Sequence, residues 1–205
     1  MWLMKANIIL TLLFLALSSN SISQNNDSAE SRYSLGLKTG LQHTTYKFTS
    51  DTSLNPMESS SQPFGIEYQR LLEKSSALVI EFNYASVDIV DPKNPKSVVY
   101  SYSQFDVPIT LRLRSQGNLR LIGDLGISLS FFPSVGLRNK IDLSKNISDV
   151  KIAYHLGTGF ESQLTNMAAI SIIGRYQRIG SEVQINNFSA QLGLKLYMPA
   201  FNKKQ

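Results

Sequence analysis

From residue 33 onward, apolar and polar side chains alternate with a period of two. In YSLGLKTGLQ, Tyr33, Leu35, Leu37 and Leu41 fall on one face of an extended chain, and Ser34, Gly36, Lys38, Gly40 and Gln42 fall on the other. Successive side chains of a strand point to opposite faces, so this rhythm predicts strands with two unlike surfaces. Eight such segments can be read, over 33–48, 62–72, 77–87, 97–114, 119–132, 149–164, 168–178 and 186–198. None of the chain holds helical spacing over three turns. Most segments reach ten residues or more. Strands of soluble sheets average about five or six, whereas a tilted strand crossing a bilayer needs about 9–11.

The connections alternate as well. TSDTSLNPMESSS is long, EKSS tight, DIVDPKNPK long, SQGN tight, PSVGLRNKIDLSKNIS longest, TNM tight and IGSEVQI intermediate. Short turns at one end and long loops at the other are the habit of outer-membrane barrels. The expected fold is therefore all-β, an eight-stranded antiparallel up-and-down transmembrane β-barrel. Pro108 falls inside the fourth segment, where it cannot donate to a ladder, and a bulge is expected there.

In a membrane barrel the apolar face points outward to lipid and the other face lines the lumen. The polar face here carries Gly36, Gly40, Gly65, Gly126, Gly157, Gly159 and Gly193 among charged residues, as suits a narrow interior. By the same phase the interior acids are Glu67, Glu81, Asp106, Asp124 and Glu161, and the interior bases are Lys38, Arg112, Arg114, Arg120, Lys151, Arg175 and Lys195. Opposite charges in a dry interior must pair, because an uncompensated one costs several kcal/mol. Eight strands leave an interior that side chains just fill, so a plugged lumen is expected, with this charge network as a structural feature. Aromatic residues near the strand ends (Tyr33, Tyr46, Phe48, Phe64, Tyr84, Tyr100, Tyr102, Phe131, Phe132, Tyr154, Tyr176 and Tyr197) are read as interfacial girdles. The alternative is a soluble periplasmic barrel with the pattern inverted, binding an apolar ligand at its centre.

The N-terminus reads as an export signal. Lys5 precedes an apolar run from Ala6 to Leu17, and SSNSISQ follows with small residues. That run is shorter than the roughly 20 residues of a spanning helix, so residues 1–23 are expected to be a signal peptide and residues 24–205 the outer-membrane β-barrel domain. A mean hydropathy of -0.09 is too polar for a bundle of membrane helices. The net charge of +5 comes from basic residues scattered along the chain, which argues against nucleic acid as a partner. There is no cysteine, hence neither a disulfide nor a thiolate metal site.

Little points to catalysis. A nucleophile needs a base within hydrogen-bond reach. Of the two histidines, His43 has Thr45 two residues on along the same face and His155 has Gly157, so neither forms a His-x-Ser pair. Glu161 lies six residues from His155, about 20 Å along a strand. His155 is expected to be a hydrogen-bonding residue of the lumen, and His43 to sit near the outer rim. Two isolated histidines make no metal cluster, and HLGTGF lacks the following helix that a phosphate cradle requires. No cofactor is implied. A lipid-modifying outer-membrane enzyme remains the less favoured alternative.

QFDVPITLRLR, with FGIEYQRLL, LVIEFNYA, LIGDLGISLSFFP and YHLGTGFESQL in order, resembles the PorT-like outer-membrane β-barrel family over nearly the whole mature chain. The resemblance implies an integral protein of the Gram-negative outer membrane. Its partners would be outer-membrane lipids and, through the long loops, other envelope or secretion proteins. Some family members take part in protein export across that membrane. The chain departs from the usual barrel ending, since it runs past Tyr197, and either Tyr197 or Phe201 is expected to close the last strand.

Overall fold

The computed structural model describes residues 33–48, 57–91, 94–137, 150–180 and 183–198. They form nine strands: β1 (Tyr33–Phe48), β2 (Met57–Ser61), β3 (Phe64–Glu73), β4 (Ser76–Asp91), β5 (Asn94–Arg114), β6 (Leu119–Leu137), β7 (Lys151–Thr165), β8 (Ala168–Ile179) and β9 (Val183–Tyr197). Every neighbouring pair is antiparallel. The ring closes between β1 and β9, in unbroken register from Ser34↔Tyr197 to Phe48↔Val183. β2 and β3 together occupy one place in the ring, both lying between β1 and β4. Gln62 and Pro63 interrupt that strand, and the Gly40 amide bridges the break by donating to the Pro63 carbonyl at 3.2 Å. The barrel is thus eight-stranded, with its second strand split by a residue that has no N–H to give.

Three tight turns, after Glu73, Arg114 and Thr165, lie at the same end as the start of β1 and the end of β9. In the turn after Arg114, Gly117 holds a φ of 108°, a conformation open to glycine. At the opposite end the hairpins are tall. The long connections read from the sequence are in part strand. MESSS is β2, and β4 and β5 continue pairing to Asp91↔Asn94. The rest of the first and fifth loops falls outside the described residues, as do residues 1–32 with the expected signal peptide.

The wall has two regimes along its height. Over most of it the exterior is apolar and the interior polar. Leu41, Leu125 and Ile172 are 65%, 59% and 62% exposed, and Leu35, Leu111, Ile127 and Leu194 also face outward. This belt is what lipid requires. It tells against a soluble barrel with its apolar face inside. Toward the tall hairpins the pattern inverts without any change of phase. The lumen there is filled by Tyr46, Met57, Ala85, Val87, Ile89, Tyr102, Phe132, Ala153, Ile179 and Ile185. The outward positions become His43, Lys47, Glu58, Ser60, Ser86 and Asp88, all exposed. A wall that leaves the bilayer must exchange a lipid face for a wet one. Its strands then need an apolar core, as in a soluble barrel.

Tyr46, Tyr102, Phe132 and Tyr197 do not belong to the girdles, because all four are buried inside the barrel. Pairs such as Tyr33–Tyr68, Tyr84–Phe105 and Tyr176–Phe188, with ring centroids 6.3, 5.0 and 4.8 Å apart, supply aromatics at the outer face instead. Tyr197 points inward, so it does not present an outward aromatic at the end of β9, and Phe201 lies outside the described residues. The bulge expected at Pro108 is absent as well. The β4–β5 register is the same at Ile80↔Ile109 and Asn83↔Asp106, so the ladder passes Pro108 without a shift. The shift nearest to it falls in the β5–β6 pair, where Phe131 to Ser134 spans one residue more than Ser103 to Phe105. The extra residue sits at Phe132–Pro133, where the second proline has no N–H to pair.

Candidate functional site

Inward positions of the membrane-spanning region meet across the lumen. Lys38 on β1 lies 3.0 Å from Glu67 on β3 and 2.6 Å from Glu81 on β4. Arg175 on β8 grips Glu81 with both terminal nitrogens at 2.7 Å, and its Nη2 is also 3.5 Å from Asp124 on β6. Arg112 on β5 donates Nε and Nη2 to Asp124 at 2.8 and 2.9 Å, and Nη1 to Glu67 at 3.0 Å. Followed in order, Glu67, Lys38, Glu81, Arg175, Asp124 and Arg112 form a closed ring of alternating charge.

A branch extends the ring toward the short-turn end. Lys195 on β9 joins Glu67 at 2.9 Å to Glu161 on β7 at 2.6 Å, and Arg120 meets Glu161 at 3.2 Å. Each of the eight barrel strands therefore contributes at least one charged residue to a single cluster. The members are fully or nearly fully buried, Arg112 being 0% exposed. Such burial is tolerable only because nearly every lone pair and proton has a partner.

The remaining charged residues of the sequence reading are also inward. Arg114 donates Nε to the Lys74 carbonyl at 3.1 Å in the turn at the short end. Lys151 is buried toward the tall-hairpin end. Asp106 stands apart from the ring and accepts from neutral donors: Ser130 Oγ, Gln104 Nε2 at 2.8 Å and Gln177 Nε2 at 3.5 Å.

Several partners escaped the sequence reading. Gln69 accepts from Arg112 at 3.2 Å and from Lys195 at 3.0 Å. Asn83 donates to Glu81 at 3.0 Å, and the Tyr197 hydroxyl donates to Glu161 at 3.1 Å. Each sits two residues from a charged inward residue, so strand parity alone would have found them. His155 is buried in the lumen, with Nε2 2.8 Å from the Thr110 hydroxyl. It rests against β6 where a side chain would not fit: a Cβ at Gly126 would lie 2.6 Å from that same nitrogen. His43 is outside, 4.0 Å from Glu58 at the exposed face.

The chemistry open to this arrangement is limited. The His155–Thr110 pair is a hydroxyl against an imidazole, but Thr110 is 0% exposed. Among the described residues no group of three or more His, Asp or Glu is placed to hold a metal ion. Among the described residues there is no helix long and apolar enough to cross a membrane.

No family model matches the chain, and no characterised protein matches it by sequence. Solved structures do resemble it. Neisserial surface protein A superposes with a TM-score of 0.56 at 13% identity, over 80% of this chain and 97% of that one. The outer membrane protein OprG from Pseudomonas aeruginosa gives a TM-score of 0.56 at 11% identity, over 83% of this chain and 98% of that one. At such identities the likeness is one of fold. Together with the apolar belt, it makes this chain an integral β-barrel of the outer-membrane type.

Proposed function

We propose that the protein is a non-catalytic component of the outer membrane, inserted in its lipid as a closed and plugged barrel, whose tall hairpins serve as the contact surface for other envelope proteins. The charge ring carries this reading. Together with its Lys195–Glu161 branch it stitches all eight strands across the lumen, where a channel would need open space. Sealing is completed by the apolar cap of Tyr46, Tyr102, Phe132, Ile179 and Ile185. The lumen charges are then structural: they hold the cross-section rather than move a solute.

The buried Thr110–His155 pair lends no support to an enzymatic role. Thr110 faces the interior, away from both lipid and water, and His155 Nδ1 has no acid to orient it. The finer assignment, a PorT-like part in protein secretion, rests on the QFDVPITLRLR strand and its companion segments. N-terminal residues 1–23 would act as the export signal.

A deletion strain tests the assignment. Loss of surface-protein export, restored by the wild-type gene and not by a version with trimmed hairpins, is the expected result. Normal export in the deletion strain removes the secretion role. Altered lipid A on overexpression would overturn the non-catalytic reading.

A further inference from the structure

Between the charge ring and the apolar cap lies a small, partly open cavity of about 20 Å³. Arg175, Asn83, His155, Gln191, Gln177 and Asp106 are among the residues lining it. Three of them present a buried polar atom without a partner: Arg175 Nε, His155 Nδ1 and Gln191 Oε1. Their residues are 6%, 1% and 8% exposed. Their other polar atoms are committed. Both terminal nitrogens of Arg175 hold Glu81, His155 Nε2 meets Thr110, and Gln191 Nε2 donates to Ser189 at 3.1 Å. A buried polar group left unpaired costs about 1–3 kcal/mol, so three around one cavity imply an occupant.

The lining selects its chemistry. A cation is repelled by the Arg175 guanidinium. An anion is repelled by the Asp106 carboxylate and gains nothing from the Gln191 oxygen. The occupant must accept from Arg175 Nε–H and donate to Gln191 Oε1, which one water molecule can do at once. Size agrees, since a water needs about 10–15 Å³ of such space and typically makes about three hydrogen bonds.

We propose that the cavity is a built hydration site, in which one ordered water bridges Arg175 of the charge ring to His155 and Gln191 of the polar layer above it. The bonds described above run within each of those groups; the water joins them. The charge ring is then joined through the water to the His155–Thr110 and Gln191–Ser189 pairs.

The test is magnetic resonance of the full barrel in lipid nanodiscs with labelled arginine. A resident water gives the Arg175 Nε–H proton a cross peak at the water frequency, with NOE and ROE of opposite sign. The paired substitution His155→Phe with Gln191→Leu is expected to abolish that peak. Heat-modifiable migration on gels reports whether the variant has folded, and should it fail to fold, the wild-type spectrum alone decides. Absence of the peak in the wild-type barrel overturns the proposal, as does its persistence in the folded variant. An anomalous peak in the cavity of a crystal grown with bromide would show an anion there and overturn it equally.

Discussion

Arg175 and Glu81 face each other across the full width of the lumen, joined by two nitrogen–oxygen contacts of 2.7 Å. Their strands, β8 and β4, are four places apart whichever way the ring is followed. A bidentate pair at that position fixes the barrel's cross-section in a way that no ladder between neighbouring strands does. Removing the charge from one member strands the other. Glu81→Gln leaves both Arg175 and Lys38 short of a counter-charge, and is expected to cost about 3–5 kcal/mol in urea unfolding of the refolded barrel. The apolar pair Glu81→Leu with Arg175→Met should recover part of that loss, because it removes one charge of each sign while Lys38 keeps Glu67 and Asp124 keeps Arg112. A double variant no better than the single one would deny that the pair acts as a unit.

The exchange of inside for outside along the wall makes neighbouring residues respond oppositely. Val87 is fully buried within the apolar cap, and Ser86 beside it on β4 is exposed. Val87→Asn is expected to destabilise by about 3 kcal/mol, through lost apolar burial and an unpaired amide. Ser86→Asn should stay within about 0.5 kcal/mol. Equal effects at the two positions would mean that the cap is not a core.

Within the lipid belt the penalty falls on charge at outward positions. Leu125→Arg on β6 is expected to cost about 2–4 kcal/mol, as a cation near the middle of a bilayer does. Lys47→Arg, on the same side of the wall but above the belt, should be neutral. The check is the free energy of folding into lipid vesicles. A harmless Leu125→Arg would place that residue in water.

Two glycines should also separate. Gly126→Ala drives a methyl to 2.6 Å from His155 Nε2 and displaces the ring from Thr110. A cost of about 1–3 kcal/mol is expected, and His155→Ala in the same chain should relieve only part of it, because the Ile109 carbonyl oxygen lies closer still to the added methyl. Gly174 is exposed on the wall, and a Cβ there would come no closer than 3.8 Å to anything. Gly174→Ala should therefore unfold at the same urea concentration as the parent barrel.

Much of the barrel is legible in the alternation itself. The outward set Leu35, Leu37 and Leu41 and the inward set Gly36, Lys38 and Gly40 follow from the two-residue period of a strand. The wiring of the charge ring does not. Lys38 meets Glu81 from 43 residues away, and choosing Glu81 rather than another acid depends on register and strand tilt, which the alternation leaves open. Tyr46, Tyr102, Phe132 and Tyr197 were misplaced for another reason. Nearness to a strand end suggests a girdle, yet each shares the phase of an inward residue nearby: Tyr46 with Lys38, Tyr102 with Asp106, Phe132 with Asp124 and Tyr197 with Lys195. Parity outweighs position here, because a strand cannot turn one side chain outward without a bulge. β2 was hidden by its composition. MESSS reads as loop, and becomes strand because β1 and β4 offer ladders on both its sides.

The lipid-facing belt, with its inversion toward the tall hairpins, is tested most directly by a spin-label scan of β1 in membranes. With no native cysteine, each introduced thiol is unique. Labels at Leu35, Leu37 and Leu41 should be open to oxygen and closed to a water-soluble relaxation agent, and labels at His43, Thr45 and Lys47 on the same face should show the reverse. Aqueous contact at Leu37, or no reversal between Leu41 and Lys47, would contradict the account.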